Sequence, residues 1–317
     1  MRVVVTSAGF IGSNLVDHLL AAGHEIVGFD DFSTGQEKFL EAAHAHRNFR
    51  LVRGDLLDPA AIAPALEGAD LVVHFAANAD VRFGTDHPRK DLEQNVIATH
   101  NVLEAMRAAG VRHIAFSSTG SVYGEATVFP TPEDAPFPVQ TSLYGASKMA
   151  AEGLIAAYCE GFGFRGTVFR FVSILGNRYT HGHVFDFCRA LRADPTKLRV
   201  LGDGMQRKSY LDVTDCVAAI MTAIEKGPEK YAVFNLGTDE YCQVRDSIGW
   251  ICGRLGLKPE LNYTGGERGW IGDNPFIFLD CSRIRALGWQ PRHSIREGVE
   301  RTVDYLMANP DLLDARA

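Results

Sequence analysis

No apolar run in this 317-residue chain approaches the roughly 18 residues needed to cross a bilayer. The chain also enters strand-like MRVVV at once, with no signal-peptide core, so a cytoplasmic location is expected. None of the six cysteines, Cys159, Cys188, Cys216, Cys242, Cys252 and Cys281, belongs to a CxxC pair, which predicts reduced structural thiols. Positive charge is in deficit: 32 Lys and Arg against 39 Asp and Glu leave a net charge of −7. General attraction to nucleic acid is thereby excluded, and an anionic ligand needs a local basic cluster. There is no Pro/Ser-rich linker and no internal repeat. His181 and His183 in YTHGH lack nearby carboxylate or thiolate partners, so no metal is expected there, and capping or substrate contact is. The terminal ANPDLLDARA reads as a frayed end.

What is present up to about residue 172 is an alternation of short β-branched runs with amphipathic helices. The runs are RVVVT, EIVGF, FRLVRG, DLVVHFA, HIAFSS and GTVFRF, with helices such as 11–22 and 92–109 between them. That is the βαβ pattern of a doubly wound α/β fold of Rossmann type, a parallel sheet covered on both faces. Beyond about residue 173 the texture changes to loops, helices and short strands, including AVFNLG and FIFLD. Two units are therefore expected: a dinucleotide-binding domain over 1–172 and a smaller, mostly helical substrate domain over 173–317, partly interleaved with it. Ligands of such sheets bind at the carboxyl ends of the strands, so functional residues should follow each apolar run.

After the first run come Ser7, Ala8, Gly9, Phe10, Ile11, Gly12 and Ser13. Glycines there let the backbone approach a pyrophosphate, and the next helix points its amides and positive dipole end at the anion. Asp30 and Asp31 end the second run, about 20 positions on, where a carboxylate accepts from ribose hydroxyls and repels a 2′-phosphate; this favours NAD over NADP. Asp55 and Leu56 follow the third run, one polar and one apolar contact for an adenine ring. Phe75, Ala76 and Ala77 follow the fourth, small alanines where a backbone passes a flat ligand. FSSTGSVYG and YGASK come next: Tyr144 and Lys148, one helical turn apart, project from one face, and Thr119 lies just past the preceding run. A free phenol titrates near about 10, but an ammonium and an oxidised nicotinamide both favour the phenolate. Tyr144 could then remove an alcohol proton while hydride leaves the same carbon, with Thr119 fixing the oxygen's direction.

These segments together resemble the extended short-chain dehydrogenase/reductase superfamily, within it the nucleotide-sugar epimerase/dehydratase group. AGFIGSNL, FDDFS, GDLLD, HFAA, QNVIATHNVLEAM, FSSTGSVYGE, YGASK, FRFVSILG, GDGMQRKSYLDVTD, FNLGT and LDCSRIRALGW recur there in this order. The resemblance implies bound NAD, a homodimer built on helices near 90–109 and 143–160, and a C-terminal part for a nucleoside-diphosphate sugar. It implies Asn95 as a support of the catalytic region, Ser117 beside the cofactor, and Ser173, Arg207, Lys208 and Arg268 toward the substrate, Arg268 clamping its pyrophosphate. Lys208 takes the place where the family shows an arginine, Ser173 that of an asparagine in many UDP-hexose epimerases, and two residues are added between Arg268 and Gly272. Uronic acid and N-acetyl sugars therefore stay open. Gly120 and Ser121 replace the Asp-Glu pair of the 4,6-dehydratases, which disfavours dehydration and leaves epimerisation at C4 through a 4-keto sugar. A dehydrogenase that exchanges its cofactor and a non-catalytic dinucleotide sensor are the rivals. The family's loop reads Thr-Gly-Gly-Ala-Gly-Phe-Ile-Gly; here one residue and the first glycine are gone. Either Ser7 closes the tight turn, or the strand slips or the loop strains.

Overall fold

The computed structural model describes residues 1–136, 139–228, 230–269 and 276–314. Six strands, β1 (Arg2–Val5), β2 (Glu25–Asp30), β3 (Phe49–Arg53), β4 (Leu71–His74), β5 (His113–Thr119) and β6 (Arg165–Phe171), join Tyr231–Leu236 in one parallel sheet. Its order is Tyr231–Leu236, β6, β5, β4, β1, β2, β3. Side chains alternate across it with the strand period of two. Val3 and Val5 enter one buried cluster and Val4 the other; Val73 and Val72, and Ala115 and Ile114, divide the same way. With both faces covered, these strands read as continuous apolar runs, which is why the sequence announces them.

The winding direction reverses between β1 and β4, and the crevice at their carboxyl ends is where such sheets take a ligand. Register holds there: Val3, Val4 and Val5 pair with Ile26, Val27 and Gly28 on one side and with Leu71, Val72 and Val73 on the other. Thr6 then laces the two ends, its Oγ1 lying 2.8 Å from His74 Nδ1 and accepting from Phe75 N. Burial drives that imidazole down to about 3, so it stays neutral.

Three features differ from the sequence expectations. The strand Tyr231–Leu236 lies in the main sheet rather than in the second unit, paired in parallel with β6 from Tyr231↔Gly166 to Leu236↔Phe171. The helix expected over 92–109 begins at Pro88 and is α only over Pro88–Asp91 and Ala98–Ala109; Leu92–Ile97 between them is π-helical. The wider turn buries Asn95, whose carbonyl then accepts from the Thr99 hydroxyl at 2.7 Å. The C-terminal stretch is packed through Asp314: Asp311–Asp314 is a helical turn with Leu312 and Leu313 buried, and Asp311 pairs with Lys38. The apolar LL pair outweighs the flanking polar residues. All six cysteines are free thiols.

Candidate active site

The shortened loop closes without slippage or left-handed strain. Ser7 Oγ accepts from Gly9 N at 3.1 Å, a serine turn standing where a glycine would, and neither Ser7 nor Ala8 has a positive φ. Gly9 then N-caps the helix α1 (Phe10–Ala21) with no side chain over its amides. Those first-turn amides have no partner within the helix and carry its positive dipole end. Gly12 makes the fit possible, because a Cβ there would run into the Ser7 carbonyl. Phe10 and Gly12 are buried, and Ile11 is half-buried.

Asp30, at the end of β2, faces this loop. Its carboxylate accepts from Ala8 N at 2.5 Å and from Phe32 N at 2.6 Å; burial raises its pKa, and the two amides oppose the rise. Phe32 takes φ 60°, costly for an aromatic residue, and the bond from its amide helps to hold it there. Asp31 turns away, accepting from Ser33 N and Oγ. Asp55 is exposed and accepts from Leu57 N at 2.8 Å, whereas Leu56 is buried and its carbonyl accepts from Asn101 Nδ2. Phe75 is buried, and Ala76 and Ala77 are half-buried beside Thr6.

Thr119 ends β5 and caps the 3-10 turn Gly120–Tyr123, accepting from Ser121 N. The helix α2 (Leu143–Phe162) starts beside it, with Ser142 Oγ accepting from Gly145 N at 3.0 Å. Gly145 allows the approach, since a Cβ there would lie 2.9 Å from the Ser121 carbonyl. The start of α2 thereby brings Tyr144 to Thr119, near enough for the threonine to act on the phenol's pKa. Lys148 is buried one turn on; its Nζ donates to the Ser117 carbonyl at 2.8 Å and stands 4.6 Å from the centre of the Phe116 ring.

The electrostatics depart from the expectation of a lowered phenol. Burial pushes Tyr144 up to about 12, Thr119 draws it back, and the Asp91 charge adds to the rise. Burial likewise brings Lys148 down to about 7, opposed by Glu152 and Asp91. In the protein alone, then, the phenol is protonated at neutral pH and the lysine holds only part of its charge.

Asn95 is fully engaged: its Oδ1 accepts from Asn78 N at 2.9 Å, and its Nδ2 lies 2.8 Å from Ser147 Oγ. Behind the pair, Arg170 forks onto Glu152, both buried, and donates to the Tyr123 hydroxyl at 2.7 Å. The sequence reading missed Asn78, Asp91, Ser147, Glu152 and Arg170. Only the YxxxK spacing marks Ser147 and Glu152 at all, by putting them on the same helix as Tyr144.

The residues assigned to substrate come from separate segments of the chain. Ser173 is exposed and pairs with Tyr210 in a two-stranded sheet. Arg207 and Lys208 fall on opposite sides of a short strand, as its period of two requires. Arg207 lies 3.8 Å over the Phe276 ring, whereas Lys208 acts electrostatically on His183. His183 does not cap its helix: it stacks on Tyr210, with Nδ1 3.0 Å from the Tyr210 hydroxyl and Nε2 3.0 Å from Ser247 Oγ. Arg268 is ion-paired with Glu125. The added residues after Gly269 lie outside the described residues.

A profile of the NAD dependent epimerase/dehydratase family matches residues 3–237. The chain belongs to that family. The UDP-glucose 4-epimerase of Mycolicibacterium smegmatis is 35% identical over 314 residues, covering 96% of this chain and 98% of that protein. A crystal structure of a UDP-galactose 4-epimerase superposes with a TM-score of 0.87 at 37% identity, covering 98% and 99% of the two chains. The UDP-glucuronic acid 4-epimerase of Bacillus cereus, in complex with UDP-glucuronic acid and NAD, gives 0.89 at 26% identity, with 98% and 100% covered. As a family member, the chain carries a Rossmann-like sheet and uses NAD.

Proposed function

We propose that this protein interconverts C4 epimers of a UDP-sugar, with Thr119, Tyr144 and Lys148 as the catalytic residues. The observation that carries the reading is the start of α2 set against Thr119 at the end of β5, with Tyr144 in its first turn and the buried Lys148 one turn on, at the sheet edge that also holds the glycine loop. The loop suits a dinucleotide: uncapped amides stand at the start of α1, and Gly12 seats so closely on Ser7 that no side chain intrudes. Residues 9–12 would hold the pyrophosphate, Asp30 the adenosine ribose, Asp55, Leu56 and Phe75–Ala77 the adenine side, and Lys148 and Ser117 the nicotinamide side. When bound, NAD supplies a reversible hydride acceptor and a positive charge.

Tyr144 Oη takes the C4 hydroxyl proton and returns it to the inverted alcohol, so no proton is consumed in a cycle. Thr119 fixes the sugar oxygen by hydrogen bonding. Burial raises the phenol's pKa, so positive charge from the bound cofactor and from Lys148 one turn on is what it needs to become a base. On the substrate side, Arg268 exchanges Glu125 for the diphosphate, a forked contact suited to guanidinium, with Lys208, Arg207 and Ser173 nearer the nucleotide and sugar.

The 1–172 part holds the cofactor and 173–317 the sugar nucleotide. The protein works in the cytoplasm as a homodimer through Pro88–Ala109 and α2, a pairing supported by the exposed Leu92, Ile97, Leu143 and Phe162. No helix among the described residues is long and apolar enough to cross a membrane. Conversion of UDP-glucose, UDP-galactose and UDP-glucuronic acid, followed as C4 inversion with bound NAD, tests the reading. Tyr144→Phe should lower kcat at least about 100-fold with NAD still bound; unchanged turnover would sink the assignment.

A further inference from the structure

Beside the catalytic helix lies a carboxylate that the epimerase reading leaves unused. Asp91 is 2% exposed and sits in the last position of Pro88–Asp91, just before the π-helical turn that carries Asn95. Its Oδ1 accepts from Asn78 Nδ2 at 2.9 Å and from Asn95 Nδ2 at 3.3 Å. Its Oδ2 has no hydrogen-bond partner. That oxygen is walled in by the helix Val81–Asp86, where a Cβ on Gly84 would fall directly on it. A buried carboxylate with one bare oxygen is costly, and structures keep such groups where the strain or the charge is used.

The path from Asp91 leads straight to the reacting pair. Asn95, held by Asp91, approaches Ser147 Oγ at 2.8 Å, and Ser147 Oγ donates to the Tyr144 carbonyl at 2.8 Å. Asn78, the other residue held by Asp91, follows β4 at the cofactor edge and accepts Asn95 Nδ2 on its carbonyl at 3.2 Å. One carboxylate therefore ties the π turn, the β4 edge and the first turn of α2 together. Its charge reaches both Tyr144 and Lys148.

We infer that Asp91 is a positioning residue for the epimerisation, seating the Tyr144–Lys148 turn through Asn95 and Ser147 and setting the field in which that pair exchanges its proton. The inference rests on the reading of Tyr144 as the acid-base group. The charged and titratable groups acting on Asp91 are Lys148 and Tyr144 from α2 and Asp80 from the start of Val81–Asp86. On its own side, Arg89 is turned to Glu93, and His87 is stacked on Phe83.

The test compares NAD-loaded wild type, Asp91→Asn, Asp91→Ala and Tyr144→Phe for kcat, KM, bound NAD and the pH profile of kcat. Asp91→Ala breaks the tie and should lower kcat about 10–100-fold, as misplacement of a reacting group does, with KM and NAD content within about twofold. Asp91→Asn keeps an acceptor oxygen but loses the charge. Because that charge favours the protonated forms of Tyr144 and Lys148, the profile should move to lower pH by about half a unit or more, with the fold intact. Full kcat in Asp91→Ala, an unshifted profile in Asp91→Asn, or losses of kcat, KM and NAD content in parallel would each overturn the inference. Active Tyr144→Phe would instead bring down the functional reading itself. If Asp91→Ala does not fold, Asp91→Asn alone decides.

Discussion

Replacing Lys148 by methionine should stabilise the cofactor-free protein while abolishing its turnover. Burial lowers the pKa of the lysine from 10.5 to about 7. At about 1.4 kcal/mol per unit, keeping the ammonium in place costs about 4–5 kcal/mol below pH 7. Methionine matches the stem, carries no charge, and gives up the ammonium's bond to the Ser117 carbonyl and its contact with the Phe116 ring, together about 2 kcal/mol. The net gain at pH 6 is therefore about 2–3 kcal/mol. The sign follows from proton binding. Between about pH 7 and pH 10.5 the unfolded chain keeps a proton that the folded protein has released, so wild-type stability rises with pH over that window. By pH 9 the advantage of the variant should have shrunk by about 2–3 kcal/mol. Urea unfolding of dinucleotide-stripped wild type and Lys148→Met at pH 6 and pH 9 measures both quantities, while C4 inversion should fall at least about 100-fold. Equal stabilities at pH 6, or a difference that does not change with pH, would show that the amine keeps its ordinary pKa in the folded protein because solvent reaches it.

Gly12→Ala places a methyl against the Ser7 carbonyl, so the loop must move; NAD affinity should fall at least about tenfold, read as loss of co-purified dinucleotide while the melting temperature stays within a few degrees. Arg268→Ala removes a charge-assisted contact to the diphosphate, about 1.5–3 kcal/mol, and should raise KM for the UDP-sugar about 10–100-fold with kcat nearly unchanged; a kcat loss without a KM rise would move Arg268 from binding to chemistry.

The seven-stranded sheet was legible because what it demands is local. Val3 to Val5, Leu71 to Val73 and Ile114 to Phe116 are apolar on consecutive positions because both faces of each strand are covered, and a reader needs no partner to see that. Tyr231–Leu236 was equally visible as a strand but was placed with the second unit rather than in the main sheet. Its six residues read alike at the edge of the main sheet or in a satellite, and only the packing of Val213–Lys226 onto α1 returns the chain to β6. The π turn at Leu92–Ile97 left no periodic trace, since one widened turn changes the spacing less than ordinary scatter in an amphipathic pattern does.

The site divides along the same line. Gly9, Gly12, Asp30, Thr119, Tyr144 and Lys148 stand at fixed offsets from strand ends or from one another, so local spacing located them. Asn78, Asp91 and Arg170 are polar residues in unremarkable surroundings, and their roles depend on which elements the crossovers set side by side. Asp91 meets Asn78 across 13 positions and Arg170 meets Glu152 across 18, distances at which no periodicity operates. Even the shortened glycine loop follows this rule. The missing glycine was plain from spacing, but its remedy was not, because it depends on the Ser7 hydroxyl finding Gly9 N and on Asp30, 22 positions away, accepting from Ala8 N. A loop tied at both points no longer needs the conformational freedom that the absent glycine would have supplied.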